Sequence, residues 1–336
     1  MEKITLGING FGRIGRTLYR LLEKEPSIRV ALVNDLADAH TLGHLLKYDS
    51  LHGRFPGPVE TGEDYIRTPS QKTRVTRFEH PGDIPWKEAG VDLVVEATGR
   101  FKTRETLEAH LQAGTPRVLL SAPPAEDQIP MIVFGINHET LGKADRIFSN
   151  ASCTTHNAAP MLKILDELCG IEQAYITTVH SYTSDQSLHD HPHRDLRRAR
   201  AAAQSIVPTT TGAAKALTRI FPHLAAVIGG CGIRVPVPNN SLTDITANVR
   251  KPASIQEINA TFKEFSEKKL QNVLQYTEDP IVSVDINNSS FSCTFDSQMT
   301  SVIGTMVKVI GWYDNETGYS SRIIDTVKWL REKSFF

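Results

Sequence analysis

The sequence predicts a two-domain α/β protein, with a doubly wound parallel sheet in the first domain and a mixed or antiparallel sheet in a second, α+β domain. Up to about residue 150, β-type and helical apolar patterns alternate, as in parallel strands joined by helices. Beyond it, several β-type runs follow one another around one helix-like stretch, which suits strands that pair in both directions. A chain of 336 residues is long enough for about two domains.

The first domain begins with one strand, helix, strand unit. Residues 3–9 are a β-type run, residues 13–24 repeat apolar side chains at helical spacing, and residues 28–33 are β-type again. Further along, strands are expected at 91–96, 117–120 and 131–134, and a helix is expected at 103–113.

The second domain begins with a helix at about 154–169 and a strand at 175–180, followed by a polar segment rich in Arg and His at 181–204. This segment is interpreted as a long functional loop. Strands are then expected at about 241–249, 281–286, 291–295 and 302–313, and helices at 254–269 and about 317–332.

Bulk composition excludes several classes of protein. The net charge of −1 and the pI of about 6.9 give no global attraction to nucleic acid or to an anionic membrane. No uncharged apolar run reaches the length of a membrane span, and the N-terminus has no signal-peptide pattern. The four cysteines contain no CxxC pair, so neither a zinc site nor a disulfide framework is indicated, and no metal is expected. We therefore expect a cytoplasmic enzyme.

A dinucleotide site is indicated by Gly10-Phe-Gly12-Arg-Ile-Gly15, which has GxGxxG spacing between a strand and a helix. Glycines allow the backbone to approach a pyrophosphate at a helix N-terminus. Asp35 follows at the end of the second strand, where a carboxylate accepts hydrogen bonds from a ribose hydroxyl and repels a 2′-phosphate. The pattern favours a Rossmann-type domain that binds NAD rather than NADP; the alternative is a glycine-rich turn without a ligand.

A nucleophile is indicated at Cys153, which stands among hydroxyl residues just before a helical pattern. A helix N-terminus lowers the pKa of a thiol, and the thiolate is the attacking species. The alternative is an inert core cysteine. His180 ends a β-type run and can exchange a proton with the thiol, although it is only one of 12 histidines.

Six segments together resemble one family, the phosphorylating, NAD-dependent glyceraldehyde-3-phosphate dehydrogenases, in the family's order and over essentially the whole chain. They are Asn9-Gly-Phe-Gly-Arg-Ile-Gly-Arg16, Glu96-Ala-Thr-Gly99, Ser149-Asn-Ala-Ser-Cys-Thr-Thr155, Pro208-Thr-Thr-Thr-Gly-Ala-Ala-Lys215, Arg234-Val-Pro and Gly311-Trp-Tyr-Asp-Asn-Glu316. The resemblance implies that Cys153 attacks an aldehyde, that His180 activates the thiol, and that inorganic phosphate cleaves the resulting thioester.

The resemblance also implies the binding residues. The NAD site would include Gly10, Gly12, Arg13, Ile14, Gly15, Asp35, Thr98, Gly99, Ser121 and Asn315. The two phosphate groups would be held by Ser152, Thr154, Thr183, Arg198, Thr211, Gly212 and Arg234. Without the resemblance, the basic run at 197–200 is better explained as a solvated surface.

The same resemblance implies an NAD-binding domain at 1–152, a catalytic domain at 153–316 and a C-terminal helix, 317–336, that packs back on the first domain. It further implies a homotetramer in which the loop at 181–204 lies near a subunit interface.

Some residues depart from the family's pattern. His156 stands where the family usually has asparagine; it either tunes the chemistry of Cys153 or replaces the asparagine amide as a hydrogen-bonding group. Glu79 stands where many relatives carry arginine near the adenosine. His189, His191 and His193 crowd the long loop, where incidental surface histidines are favoured over a metal site.

Three other functions stay open at this point. One is erythrose-4-phosphate dehydrogenase, which shares the fold and the cysteine but releases a free acid. Another is a paralogue for arsenate detoxification, which would make 1-arseno-3-phosphoglycerate. The third, of a different class, is a non-catalytic protein that responds to NAD.

Overall fold

The computed structural model describes residues 3–336, which form two compact units. One unit comprises the chain up to Ile132, His138–Ala151 and Ser320–Phe336; the other comprises Val133–Asn137 and Ser152–Tyr319. None of the helices within residues 3–336 has the length and apolar character that crossing a bilayer requires.

The first unit contains β1 (Ile4–Asn9), α1 (Arg13–Leu22), β2 (Ile28–Asn34), α2 (Ala39–Lys47), β3 (Tyr48–Asp49), β4 (Gly53–Arg54), β5 (Glu60–Thr61), β6 (Tyr65–Arg67), β7 (Lys72–Thr76), β8 (Leu93–Glu96), α3 (Arg104–Gln112), β9 (Val118–Leu120) and β10 (Ile147–Ser149). Eight of these strands form one sheet in the order β10-β9-β8-β1-β2-β7-β6-β5. The six strands from β10 to β7 run parallel, and β6 and β5 continue the sheet antiparallel.

Three adjacent strands of this sheet, β9, β8 and β1, are buried along their whole length. Every residue of β1, β8 and β9 is buried, as expected for parallel strands covered on both faces. Side chains such as Leu6, Ile8 and Val95 are fully shielded from solvent, and each contributes about 1.5–3 kcal/mol through burial. Rigid strand ends therefore carry the loops at the carboxyl edge of the sheet.

The second unit contains α4 (Cys153–Cys169), β11 (Ile171–Ser181), β12 (Val207–Thr209), α5 (Ala213–Ile220), β13 (Ile228–Val235), β14 (Ser241–Val249), α6 (Ile255–Glu267), β15 (Leu274–Thr277), β16 (Cys293–Asp296), β17 (Ser301–Ile303) and β18 (Met306–Tyr313); α7 (Thr317–Glu332) follows. Its strands form a mixed sheet in the order β12-β13-β11-β14-β18-β16-β15, with β17 pairing to β18. The pair β11/β13 is parallel and the pairs β11/β14 and β14/β18 are antiparallel.

The predicted fold class is confirmed, but two of the predicted strands are wrong. Residues 131–134 make only one isolated bridge, between Met131 and Ser149, because the amide of Val133 is taken by the Asn137 side chain at 2.7 Å in a turn. Residues 281–286 contain a short 3₁₀ helix, Ser283–Ile286. Here the Asp285 carboxylate accepts the amide of Val282 at 2.7 Å, and such local bonds compete with strand pairing.

Candidate active site and dinucleotide site

The glycine-rich loop joins β1 to α1 at the carboxyl edge of the parallel sheet. Gly10 has φ +93°, and a Cβ there would lie 2.7 Å from the amide nitrogen of Thr98. A Cβ on Gly15 would collide with the carbonyl oxygen of Gly10, whereas a Cβ on Gly12 would meet no atom within 4 Å. Two glycines are thus required by packing, and the third leaves open space at the N-terminus of α1, where amide groups attract anions.

Asp35 follows β2 and is held by the neighbouring backbone. Its Oδ2 accepts the amide of Phe11 at 2.7 Å, and its Oδ1 accepts the amide of Ala37 at 3.1 Å. A cavity of about 240 Å³ lies beside it and is lined in part by Asn9, Gly10, Asp35, Glu79 and Thr98. The carboxylate is therefore preorganised at the wall of a cavity formed within the first unit.

A buried polar network supports the same edge. Oε2 of Glu96 accepts from the Asn9 amide at 2.6 Å and lies 3.1 Å from Nε2 of His110. Oε1 of Glu96 accepts from the backbone and the hydroxyl of Thr98. The Trp86 indole donates to Nδ1 of His110 at 3.0 Å, so the hydrogen of the neutral imidazole is on Nε2 and faces Glu96. Glu96 thereby connects the ends of β1 and β8.

Sequence reasoning assigned no side-chain role to Glu96. The sequence does contain a signal for such a role, since Glu96 is an acidic residue at the end of an apolar run. A carboxylate that is fully buried needs several hydrogen-bond donors.

The other predicted dinucleotide residues of the first unit lie around this edge. Arg13 forms a bidentate pair with Asp49, at 2.6 and 3.0 Å. Ile14 is in the first turn of α1, Gly99 has φ +69°, and the amide of Ser121 donates to the carbonyl of Glu96 at 2.9 Å.

Asn315 belongs to the second unit. Its amide oxygen accepts from the hydroxyls of Ser181 and Ser241 at 3.0 and 3.2 Å. These two bonds fix the orientation of the amide, so that its NH₂ group points away from both hydroxyls.

Cys153 is the first residue of α4. Ser152 is the N-cap, and its hydroxyl accepts the amide of Thr155 at 3.2 Å. Sγ of Cys153 lies 3.5 Å from Nε2 of His180 in β11, which is hydrogen-bond distance for sulfur. The fold therefore brings together a thiol and an imidazole that are separated by 27 positions in the chain.

The Nδ1 side of His180 faces a carbonyl and a cation. Nδ1 lies 2.7 Å from the carbonyl of Ser181 and 2.7 Å from Nη1 of Arg234. Nη1 also donates to that carbonyl at 2.9 Å. When Nδ1 carries the imidazole hydrogen, both nitrogens donate to Ser181, and Nε2 keeps a lone pair for the thiol proton.

The electrostatics of this pair differ from the sequence-based expectation. Burial raises the pKa of the Cys153 thiol, although the positive charge of Arg234 and the amide of Thr154 act against this shift. Burial and the charge of Arg234 lower the pKa of His180 to about 3. Cys153 does begin a helix, but desolvation outweighs the helix terminus. Both shifts favour a neutral thiol beside a neutral imidazole.

Tyr313 connects the two elements that carry the pair. Its hydroxyl lies 2.8 Å from Oγ1 of Thr154 in α4 and 3.0 Å from Oγ1 of Thr178 in β11. Its ring meets the His180 ring edge-on, at 5.9 Å between centroids. Sequence reasoning missed this role because the contacts join positions that are far apart in the chain.

The predicted anion-binding residues share the second unit with Cys153. Nε of Arg198 donates to Oγ1 of Thr209 at 2.9 Å, and Arg234 is paired with His180 in the register of β11 and β13. The hydroxyl of Thr211 accepts the amide of Ala213 at 3.2 Å. Gly212 is the N-cap of α5, with open space at its Cβ position, and Thr183 lies half-buried after β11.

His156 is buried in the first turn of α4. Its Nδ1 lies 3.1 Å from the carbonyl of Ser152, and its ring meets the Tyr319 ring edge-on, at 5.8 Å between centroids. In the long loop, Nε2 of His193 faces Oδ1 of Asp185 at 3.5 Å.

A dinucleotide-binding edge in one unit and a cysteine–histidine pair in the other are the features of NAD-dependent aldehyde dehydrogenases. Comparison with known families agrees with this class. The family model described as the NAD binding domain of glyceraldehyde 3-phosphate dehydrogenase matches residues 4–104, and the model described as its C-terminal domain matches residues 152–315.

Individual proteins give the same result. The chain is 48% identical to glyceraldehyde-3-phosphate dehydrogenase of Geobacillus stearothermophilus, over 98% of this chain and 99% of that one. It is 50% identical to glyceraldehyde-3-phosphate dehydrogenase 2 of Streptomyces avermitilis, over 96% and 97% of the two chains. The chain belongs to the glyceraldehyde-3-phosphate dehydrogenase family, and its cofactor is NAD.

Proposed function

We propose that this protein oxidises glyceraldehyde 3-phosphate to 1,3-bisphosphoglycerate, with NAD as the hydride acceptor and inorganic phosphate as the acyl acceptor. The observation that carries the proposal is the 3.5 Å approach of Cys153 Sγ to His180 Nε2 at the N-terminus of α4. The family of the chain and the two arginines in the same unit support it.

The residues at the edge of the parallel sheet fit NAD. Gly12 leaves open space at the start of α1, and Asp35 holds a carboxylate beside a cavity. The remaining predicted contacts are Gly10, Arg13, Ile14, Gly15, Thr98, Gly99, Ser121 and Asn315. Bound NAD supplies the acceptor for the hydride that leaves the substrate carbon.

The chain's own residues manage the sulfur and the protons. Nε2 of His180 takes the proton of the Cys153 thiol as Sγ bonds to the aldehyde carbon, and then passes it to the new oxyanion. The amide of Cys153 stabilises that oxyanion. As the carbonyl re-forms during oxidation, Nε2 accepts the hydroxyl proton and a thioester remains on Sγ. A phosphate oxygen then attacks the thioester carbon, the C–S bond breaks, and Cys153 leaves with the electron pair.

The substrate phosphate and the attacking phosphate need two anion sites. We assign them jointly to Ser152, Thr154, Thr183, Arg198, Thr211, Gly212 and Arg234. Arginine forks, hydroxyls and helix N-terminal amides are the groups that bind phosphate oxygens. The N-terminal positions of α4 and α5 support this assignment.

We also propose that residues 1–152 with 317–336 form the NAD-binding domain and that residues 153–316 form the catalytic domain. The grouping of Ser320–Phe336 with the first unit supports this division. Homotetramer assembly is proposed from the family resemblance, and a cytoplasmic location is proposed because no uncharged apolar run of the sequence reaches the length of a membrane span. Light scattering of the purified protein tests the first proposal, and cell fractionation tests the second.

The test of the activity is NADH formation by the purified protein in five parallel mixtures. They contain glyceraldehyde 3-phosphate with phosphate, with arsenate or with neither, and erythrose 4-phosphate with or without phosphate. We expect the highest kcat/KM for glyceraldehyde 3-phosphate and turnover that depends on phosphate or arsenate. A preference for erythrose 4-phosphate, with turnover independent of phosphate, would contradict the proposal.

Two further outcomes address the remaining alternatives. A kcat/KM for arsenate well above that for phosphate would favour the arsenate paralogue. A complete lack of NADH in every mixture would indicate a binding protein instead.

A further inference from the structure

The long loop between β11 and β12 places one carboxylate, Asp185, beside the arginines assigned to the anion sites. Nη1 of Arg198 donates to Oδ2 of Asp185 at 2.5 Å. Partial burial acts to raise the pKa of Asp185, but the hydrogen bond and the charge of Arg198 hold that pKa below its usual range. Burial lowers the pKa of Arg234, and Asp185 is among the charges that oppose this shift. One carboxylate thus interacts with both arginines.

Asp185 belongs to a closed ring made of hydrogen bonds and one longer imidazole–carboxylate contact. From Arg198 the ring continues through Oγ1 of Thr209 at 2.9 Å to Oδ2 of Asp195 at 2.8 Å. The amide of Asp195 donates to Nδ1 of His193 at 2.9 Å, so the hydrogen of the neutral imidazole is on Nε2. Nε2 of His193 faces Oδ1 of Asp185 at 3.5 Å. The ring fixes the position of Arg198 although its loop has no regular secondary structure.

The ring also determines which donors of Arg198 are engaged. A guanidinium has five N–H groups. Nε donates to Thr209, Nη1 to Asp185, and Nη2 to the carbonyl of Thr210 at 3.3 Å. Among residues 3–336 these contacts engage three of the five N–H groups, which leaves one on each Nη for another acceptor. The guanidinium is therefore held in place, with part of its charge compensated.

We propose that Asp185 is a positioning residue and the resident counter-ion of the acyl-acceptor site. It holds Arg198 in the orientation that receives inorganic phosphate, and its negative charge weakens phosphate binding enough for the phosphorylated product to leave. The inference rests on the proposed function, because it assumes that Arg198 and Arg234 bind anions.

The physical basis is charge balance. Arg198 and Arg234 carry two positive charges, and these are offset by Asp185 and by Asp195, whose Oδ2 lies 3.7 Å from Nε of Arg198. An arriving phosphate therefore meets a reduced positive potential, to which Asp185 contributes one negative charge. Removing the charge of Asp185 while keeping its acceptor oxygen strengthens phosphate binding. Removing the acceptor as well frees the guanidinium to leave its orientation.

The test compares Asp185→Asn with Asp185→Ala in steady-state assays at saturating aldehyde and NAD. We expect Asp185→Asn to lower the KM for phosphate about 3- to 10-fold without raising kcat. Asp185→Ala, which lacks both the charge and the acceptor, should have a higher phosphate KM than Asp185→Asn. The Asp185 side chain is 48% exposed, so both variants should fold, and a thermal melt checks this.

The matched control is Asp190→Asn, which makes the same charge change in the same loop. Asp190 pairs with Arg200 at 3.1 Å and accepts the amide of Ala201 at 3.0 Å, and no contact joins it to the ring. The phosphate KM of the Asp190→Asn variant should stay at the wild-type value. If Asp190→Asn also lowers the phosphate KM, the effect is a general one of the charge of the loop, and the inference is overturned.

Arg198→Ala separates the failure of this inference from the failure of the proposed function. If Arg198→Ala raises the phosphate KM and Asp185→Asn leaves it unchanged or raises it, the role of Asp185 is overturned and the anion assignment stands. If Arg198→Ala leaves the phosphate KM unchanged, the anion assignment fails and the inference fails with it.

Discussion

The two units form their sites by different means. In the first unit, the predicted dinucleotide residues lie at the ends of parallel strands and offer backbone amides, glycines and one carboxylate, Asp35. In the second unit, Cys153, His180, Arg198 and Arg234 come from a helix, two strands and an irregular loop, and their charges act on one another.

This difference separates what a local pattern specifies from what only the folded chain specifies. A binding loop made of backbone groups depends on glycine spacing and on the strand before it. A reacting pair depends on pKa values, and these are determined by burial and by charges from distant parts of the chain. Changes at the reacting pair of the second unit should therefore act on kcat, and changes in the first unit on cofactor affinity.

The largest effect is expected from the nucleophile. Cys153→Ser should lower kcat on the order of 10⁴-fold or more, since a hydroxyl is far less readily ionised than a thiol. The control is Cys231→Ser, because Cys231 is also half-buried but its thiol contacts the Thr177 hydroxyl, at 3.9 Å, rather than His180. Steady-state NADH formation measures both, and comparable losses in the two variants would remove Cys153 from its assigned role.

The next effect is expected from the base. His180→Ala should lower kcat by about 10²- to 10⁴-fold, because Sγ loses the nitrogen 3.5 Å away that takes its proton. His223→Ala is the control, since His223 forms an exposed pair with Asp166 at 2.8 Å. A loss of less than tenfold in His180→Ala would show that another group activates the thiol.

The glycine-rich motif and the Cys153 motif could be predicted from the sequence, together with the strand before the first and the helix that follows each. The neighbour of His180 could not. The strand that carries Arg234, β13, was missed because its glycines disfavour a strand in isolation. In the structure, a Cβ on Gly230 would lie 2.6 Å from the carbonyl of Ile176, so close packing against β11 requires glycine there. The parallel register then places Arg234 opposite His180.

The closed ring to which Asp185 belongs could not be predicted from a sequence pattern either. Asp185 precedes Arg198 by 13 positions in a segment with no strand or helix to define its geometry. Composition identified the loop as polar, and only the folded chain shows which carboxylate meets which arginine.

The pH dependence of thiol labelling tests the neutral pair. Because burial raises the pKa of Cys153, the thiol is protonated at pH 7, and the rate of alkylation should rise about tenfold per pH unit, or about 100-fold from pH 6 to pH 8. Since the pKa of His180 is about 3, its imidazole stays neutral over this range. The Cys153→Ser variant shows which part of the labelling comes from Cys153. A labelling rate that is independent of pH below 7 would instead indicate a thiolate and imidazolium pair.

A smaller effect is expected in the first unit. Asp35→Asn should raise the Kd for NAD about tenfold and reduce the preference for NAD over NADP, because a charged acceptor for the ribose is lost. The matched control is Asp38→Asn, whose side chain caps α2 through the amide of Thr41 at 2.8 Å. Fluorescence titration measures both Kd values. If kcat at saturating NAD falls as far as affinity does, the division of roles between the units is wrong.

The smallest effect is expected from His156→Asn, even though His156 lies one helical turn from the nucleophile. Nδ1 of His156 lies 3.1 Å from the carbonyl of Ser152, and an asparagine amide can donate to the same carbonyl. The variant should therefore keep kcat within about twofold of wild type, as a steady-state NADH assay will show. His156→Phe keeps a ring beside Tyr319 but loses the donor, so it should be the more damaging change. A greater loss in His156→Asn than in His180→Ala would reverse the assignment of the base and make residue 156 part of the chemistry.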